Sequence, residues 1–410
     1  MRARNRNKSN DKFMILLLAV MLIQAVRYFP FKFGGWNQIQ LSFTYAYGLI
    51  QRAFLGTILD VVSTLFHIPL KYMRFLYGIV TMVLFTLLLV VSVRKALEKS
   101  STDSLAQKFF MGMSILFFVG PGWDTYYNNF ALTDLWMLML SVTGVFVVLR
   151  GKHLWVAFVV SIIGVLVHTA YVFMYFNFVL AAFAYQILVQ EKESAKKYVC
   201  WLIPTFLSTS AMFLYMMFFS HAKEGITIDY VMNRTAEFVG RSVEEIKHHQ
   251  YTVEGYLFRN GDTGIKLEIT SYWLLFLVMV ALFSPFLYEI YRYWKEVYHC
   301  AKQSGSKNCW LYALLPMGVL TVIPMYIMHN DYGRWTYAVF FYEFMWIWVL
   351  NLIQDTNAHE AAKRLMMRVS SNKLYYIVLI FYAAVLGAFE QNLVSPLIST
   401  IESYGWKIIG

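Results

Sequence analysis

The chain has 410 residues, of which 59% are hydrophobic, 18% aromatic and only 14% charged, whereas an average soluble domain is about 45–50% apolar and about 25% charged. This balance excludes a soluble globular fold, a disordered chain and a disulfide scaffold, and predicts an all-α polytopic integral membrane protein. The formal net charge of +11 is spread as short patches beside apolar runs, the pattern of topology determinants facing anionic lipid, so the predicted partner is the lipid bilayer and not nucleic acid.

A spanning helix needs about 20 predominantly apolar residues. After a basic tail at 1–12, the first such run is 13–30; it lacks a small-residue cleavage site and continues into Arg27, Tyr28 and Phe29, as a retained anchor does. The following segment, 31–70, is too apolar for a solvated loop, and 45–60 reads as an interfacial amphipathic helix with one polar line through Arg52 and Thr57. Further spans are predicted at 71–93, 106–121 and 132–150. The stretch 154–189 exceeds one span and carries His168 near its middle, which predicts two short helices, 154–167 and 171–189, meeting at one membrane face. A span at 199–220 leads into the one long hydrophilic stretch, 221–271, an external cap loop in which Ser242-Val243-Glu244-Glu245 has the form of a helix capping box and Asn260-Gly261-Asp262 that of a turn. Spans at 272–291, 309–328, 336–354 and 374–392 follow, with a tail at 393–410. The total is about 11 transmembrane helices in one integral domain, 13–392, without an internal repeat.

Basic residues near span ends are retained in the cytoplasm. With the N-terminus inside, every cytoplasmic loop carries Lys or Arg, including Arg292, Lys295, Lys302 and Lys307 in one loop and Lys363, Arg364, Arg368 and Lys373 in another. This multi-pass arrangement in the cell membrane puts the C-terminus outside. Cys200, Cys300 and Cys309 then fall beside cytoplasmic ends, where thiols stay reduced, and predict no disulfide.

Polar groups collect on the predicted outer face: Arg52 and Asp60; Trp123, Asp124, Tyr126, Tyr127, Asn128 and Asn129; Asp134; His168; and His329, Asn330, Asp331, Arg334 and Trp335. Ionisable groups in apolar surroundings cost several kcal/mol unless they face a cavity, a partner or a pathway. The expectation is that Arg52, Asp124, His168 and Asp331 line a common hollow opening away from the cytosol. Each has a plainer alternative: an interfacial Asp331–Arg334 salt bridge, an aromatic belt around Asp124, a core histidine at 168. Arg27 and Arg74 are expected to snorkel, whereas Arg52 lies between Gly48 and Gly56, which permit close approach, and a guanidinium fork suits phosphate. No pattern for a tight metal, nucleotide or flavin site occurs, so no cofactor is predicted; a weak divalent cation on Asp124 or Asp331 stays compatible with the sequence.

The segments Tyr-Gly-Leu-Ile-Gln-Arg-Ala-Phe-Leu-Gly at 47–56 and His-Asn-Asp-Tyr-Gly-Arg-Trp at 329–335, with the architecture of many spans, an interfacial helix and an external cap loop, resemble bacterial polysaccharide polymerases and related GT-C-type membrane glycosyltransferases. The resemblance implies transfer of sugars or repeat units from a polyprenyl-linked saccharide at the outer face of the membrane, alongside envelope-assembly proteins. It implies a base at Asp331 or His168 with Asp124 as a further catalytic acid, diphosphate contacts from Arg52 and Arg334 with His329 and Asn330 beside them, and a sugar path along Trp123, Tyr126, Tyr127 and Trp335. This sequence departs from the better-defined GT-C enzymes in having no Asp or Glu at 31–51. The competing expectations are a lipid-linked oligosaccharide flippase or transporter, for which Glu343 is the best support, and a membrane acyltransferase acting on envelope sugars.

Overall fold

The computed structural model describes residues 2–26, 35–100, 104–120, 132–189, 192–258, 269–328 and 332–386. Among these the chain is all-α. The principal helices in order are α1 (Arg2–Val26), α2 (Gly35–Leu41), α3 (Ala53–Phe66), α4 (Leu70–Ser100), α5 (Ser104–Val119), α6 (Thr133–Arg150), α7 (Trp155–Val167), α8 (Phe176–Val189), α9 (Lys192–Phe218), α10 (Ile228–Val239), α11 (Gln250–Leu257), α12 (Ile269–Gln303), α13 (Tyr332–Leu352), α14 (Thr356–Ser371) and α15 (Lys373–Leu386). Three stretches are long and apolar enough to cross a membrane, Leu70–Lys99, Thr133–Arg150 and Ala195–Phe218. A fourth is reached if α13 and α14, bent by 110° at their junction, count as one span. The described helices therefore support membrane association more narrowly than the eleven spans expected.

The chain forms two compact bodies, 30–87 with 128–265, and 1–29 with 88–127 and 266–410. In the first, α6, α7, α8 and α9 pack on one another and α3 packs on α7. Gly144 makes room for Val179 and Val160, whose methyl groups lie 3.0 and 3.4 Å from where a Cβ would stand. Helices of 13 and 14 residues at 1.5 Å per residue are about 20 Å long, short of a bilayer core; α7 and α8 have this length, and the break falls at His168 as expected.

In the second body α5 packs on α1, α13 and α14, and α12 packs on α14. Its core is aromatic: Phe117 meets Phe344 at 4.8 Å and the edge of Trp348 at 5.1 Å, and Phe109 stacks on Tyr293 at 5.6 Å. Asn351 Nδ2 donates to the Ala96 carbonyl at 2.6 Å. The expected helix over 309–328 is helical through Leu311–Met328 but changes type along its length. An eight-residue 3₁₀ run, Leu315–Val322, lies between the α-helical stretches Leu311–Leu314 and Ile323–Met328, and Pro316 and Pro324 each remove a backbone donor there. Tyr342 Oη donates to the Leu315 carbonyl at 2.7 Å, and Gly318 is where that phenol crosses.

The turn from α13 into α14 is held by Asp355, whose Oδ1 accepts the Ala358 N–H at 2.8 Å while Oδ2 accepts the buried Tyr312 hydroxyl at 2.6 Å. Asp355→Ala removes both an N-cap and a buried hydrogen bond and is expected to cost about 2–4 kcal/mol. The melting temperature of the detergent-solubilised protein reads this directly, and an unchanged melt contradicts the role.

Candidate functional site

The segment expected to be one interfacial helix over 45–60 is not one. Tyr45–Tyr47 form a 3₁₀ turn, Gly48 has φ 127°, and the α-helix begins only at Ala53. Arg52 is its N-cap residue, in the left-handed region at φ 63°, a conformation costing about 1–2 kcal/mol for a residue with a Cβ. The correction has two physical causes. Gly48 sits where a Cβ would come within 3.0 Å of the backbone of His221 and Lys223, so the chain must turn there. The Thr57 hydroxyl, read as part of a polar line, instead accepts the Tyr45 N–H at 2.8 Å and donates to the Ala53 carbonyl at 2.7 Å, tying the turn to the helix.

The polar segment 220–258 folds onto this turn as a cap. Lys223 N–H donates to the Tyr47 carbonyl at 2.8 Å, and Ala222 N–H to the Leu257 carbonyl at 2.7 Å. Gln51 N–H donates to Ser220 Oγ at 2.9 Å, and its side-chain amide to the Met216 carbonyl at 2.6 Å. The hydroxyls of Ser42 and Thr235 share a buried hydrogen bond of 2.8 Å, and Arg234 pairs with Asp60. The Arg52 guanidinium lies over the Tyr256 ring at 4.4 Å, and Tyr47 meets the edge of Tyr230 at 6.0 Å. A cation over an aromatic face gains about 0.5–2 kcal/mol according to how far it is desolvated. The expected capping box is present: Ser242 Oγ accepts the Glu245 N–H, and the Glu245 carboxylate accepts the Ser242 N–H at 2.8 Å. The Ser242 N–H first, and then the Ser242 hydroxyl, which donates to the same carboxylate at 2.9 Å, hold the Glu245 carboxyl below its usual range.

Beside Arg52 the turn carries three buried hydroxyl oxygens, Thr44 Oγ1, Tyr45 Oη and Tyr47 Oη, that make no hydrogen bond among the described residues. Burial pushes the Tyr45 phenol up to about 12 and raises that of Tyr47 further, so both stay neutral hydroxyls. A buried unsatisfied polar group costs about 1–3 kcal/mol, and three in four residues mark a place suited to a polar guest. Nothing in the residue types of 44–47 alone distinguished them from an aromatic belt.

His168 is 5% exposed at the end of α7, and its Nδ1 accepts the Ala170 N–H at 3.0 Å. A ring nitrogen that accepts carries no proton, so the neutral ring is protonated at Nε2 and presents a donor there. This geometry suits His168 as a hydrogen-bond donor better than as a base. Asp134, in the first turn of α6, is fully buried. Asp60 is engaged by Arg234. Arg74 does not simply snorkel: its Nη1 donates to Gln38 Oε1 at 2.6 Å.

In the other body, Arg334 is half-buried in the first turn of α13, and Trp335 is 2% exposed with its ring edge-on to Tyr326 at 5.2 Å. Trp335 is thus a core side chain in this structure and does not line an open path. Trp123, Asp124, Tyr126, Tyr127, His329, Asn330 and Asp331 lie outside the described residues, as do Asn260-Gly261-Asp262, Arg27 and the tail at 393–410. Among the described residues no group of three or more His, Cys, Asp or Glu is placed to hold a metal ion.

The cap carries its own pH dependence. Burial first, then the neighbouring charges of His248 and Arg241, holds His249 below the usual histidine range. The unfolded histidine therefore takes up its proton first as pH falls, so this contribution to cap stability is full above about pH 6.5 and is lost below it. Hydrogen exchange in α10 and α11, corrected for intrinsic rates, should accelerate between pH 7.5 and 5.5, and His249→Gln should flatten the response. An identical response in the variant contradicts the assignment.

Compared with protein-family models, curated proteins and solved structures, the chain has no match to any of the three.

Proposed function

We propose that the protein is a membrane glycosyltransferase of the polysaccharide-polymerase kind, transferring a sugar or repeat unit from a polyprenyl diphosphate donor at the outer face of the cell membrane. The observation that carries the reading is the turn at 44–52, where three buried hydroxyls and a strained arginine sit beneath a polar cap in a chain otherwise built from apolar helices. Hydroxyls grouped with one guanidinium match a ligand that is part sugar and part phosphate.

In the reaction, the acceptor hydroxyl oxygen attacks the anomeric carbon of the donor sugar. The carbon–oxygen bond to the diphosphate breaks, its electron pair leaves with the diphosphate, and the hydroxyl proton passes to a base. Asp331 is the base of choice, since Nδ1 of His168 is already an acceptor for Ala170. Arg52 stabilises the departing diphosphate, the charge that grows most in the transition state. Trp123, Tyr126 and Tyr127 remain the proposed sugar contacts, Asp124 a further catalytic acid, and His329 and Asn330 further substrate contacts.

The test is the lipid-linked intermediate in cells carrying Arg52→Ala. Single repeat units should accumulate on lipid at the outer face while long polymer disappears. Repeat units trapped on the inner face would point to the second reading, a flippase. One observation favours that reading: Glu343, mid-helix in α13 and 3% exposed, accepts the Trp294 indole N–H at 2.6 Å, and buried acids within spans commonly serve ion or proton pathways.

A further inference from the structure

The body that contains α12 and α14 carries a second feature that the sugar-transfer reading does not use. A groove of about 490 Å³ opens between the C-terminal half of α12 and α14, with Tyr291, Lys295, Glu296 and His299 on one wall and Arg364 and Arg368 on the other. Glu296, 7% exposed, anchors the groove: its carboxylate pairs with Arg364 at 3.5 Å and Arg368 at 3.2 Å. Arg364 is further fixed by Gln303 at 2.8 Å and Glu360 at 3.2 Å, and Arg292 by Glu289 at 2.9 Å. Two guanidinium groups are thus held on one wall by their neighbours.

The charge does not balance. Among the described residues that line the groove, Arg292, Lys295, Arg364 and Arg368 stand against Glu296. A surplus of positive charge in a groove selects an anion. The surroundings say what kind. Tyr288 and Tyr291, 54% and 56% exposed, project from α12 beside the groove, the placement of aromatic side chains at a headgroup layer. The helix α14 buries Ala358, Ala361, Ala362 and Leu365, presents Lys363, Arg364 and Arg368 elsewhere, and leaves α13 at 110°. With α13 upright in a membrane, α14 therefore lies along its surface, as interfacial amphipathic helices do.

We infer that the groove between α12 and α14 binds a phosphate-bearing anionic headgroup, with Arg364 and Arg368 forking the phosphate and Lys295 covering it. Arginine forks match phosphate oxygens bidentately, and each basic residue near an anionic surface adds about 1 kcal/mol. The source of the phosphate is an acidic phospholipid, since the groove opens beside exposed tyrosines on the side where sequence charge predicts the cytoplasmic leaflet.

The full-length protein in neutral detergent, supplied with phosphatidylglycerol or phosphatidylcholine and weighed intact by native mass spectrometry, tests this. Phosphatidylglycerol should be retained preferentially, and the exposed-residue double variant Lys295→Ala/Arg368→Ala should lose about tenfold or more of that retention with an unchanged melting temperature. A parallel melt with inorganic phosphate separates the sources. Phosphate-induced stabilisation that the variant loses, without lipid selectivity, still supports the site but makes its ligand soluble. Equal retention of both lipids by both proteins, with no response to phosphate, overturns it.

Discussion

Gly56→Ala is expected to unseat the turn that carries Arg52. A Cβ at position 56 would stand 2.0 Å from the Phe43 carbonyl oxygen and 2.6 Å from that of Leu41. Both obstacles are backbone, and both belong to a segment already held by the Ser42–Thr235 hydrogen bond and the Tyr45–Thr57 bond. Neither a rotamer change nor a small helix shift clears them, so the 35–50 stretch must leave α3. The expected loss is about 3 kcal/mol or more, the upper end of the overpacking range, because both obstacles are backbone. Trypsin should then cut at Arg52, which is half-buried and lies over the Tyr256 ring in the wild type. Gly255→Ala is the control: nothing lies within 4 Å of its Cβ, and a helical Gly→Ala change there is neutral or stabilising by up to about 1 kcal/mol. Equal protease resistance of wild type and Gly56→Ala would remove the close approach from the account.

The second large effect concerns chemistry. Asp331→Asn keeps shape but removes the proposed base and is expected to lower transfer by about 10²–10⁴-fold. Arg52→Lys keeps a positive charge but loses the fork and the flat face over Tyr256, and is expected to retain only a small part of wild-type activity, whereas Arg52→Ala retains none measurable. Rates of polymer formation in membranes normalised to protein content read both. Full output from Arg52→Lys would mean that bidentate contact is not what the residue supplies; full output from Asp331→Asn would move the base elsewhere.

The sequence was a good guide wherever a property is local. The break at His168 followed from the length of the apolar run, and the capping box at Ser242–Glu245 from four residues. What it hid is non-local. The pairing of Asp60 with Arg234, and of Arg52 with Tyr256, joins positions far apart in the chain, with no periodicity to announce either. Gly48 and Gly56 were legible as sites of close approach, but the approaching group is the chain's own backbone and not a ligand. The helix over 309–328 carries a 3₁₀ middle that its prolines announced and hydropathy did not, and the burial of Trp335 was not legible because interfacial and buried tryptophans look alike in sequence. The three hydroxyls of 44–47 became informative only through their burial without a hydrogen-bond partner among the described residues.

The most direct measurement is donor turnover by the purified protein. Reconstituted in vesicles with an oligosaccharide on polyprenyl diphosphate, the wild type should release free polyprenyl diphosphate in step with lengthening of the sugar chain. Arg52→Ala, folded by its wild-type melt and protease resistance, should release none. Donor that stays intact with the wild-type protein, or is consumed equally by both, contradicts sugar transfer at this turn.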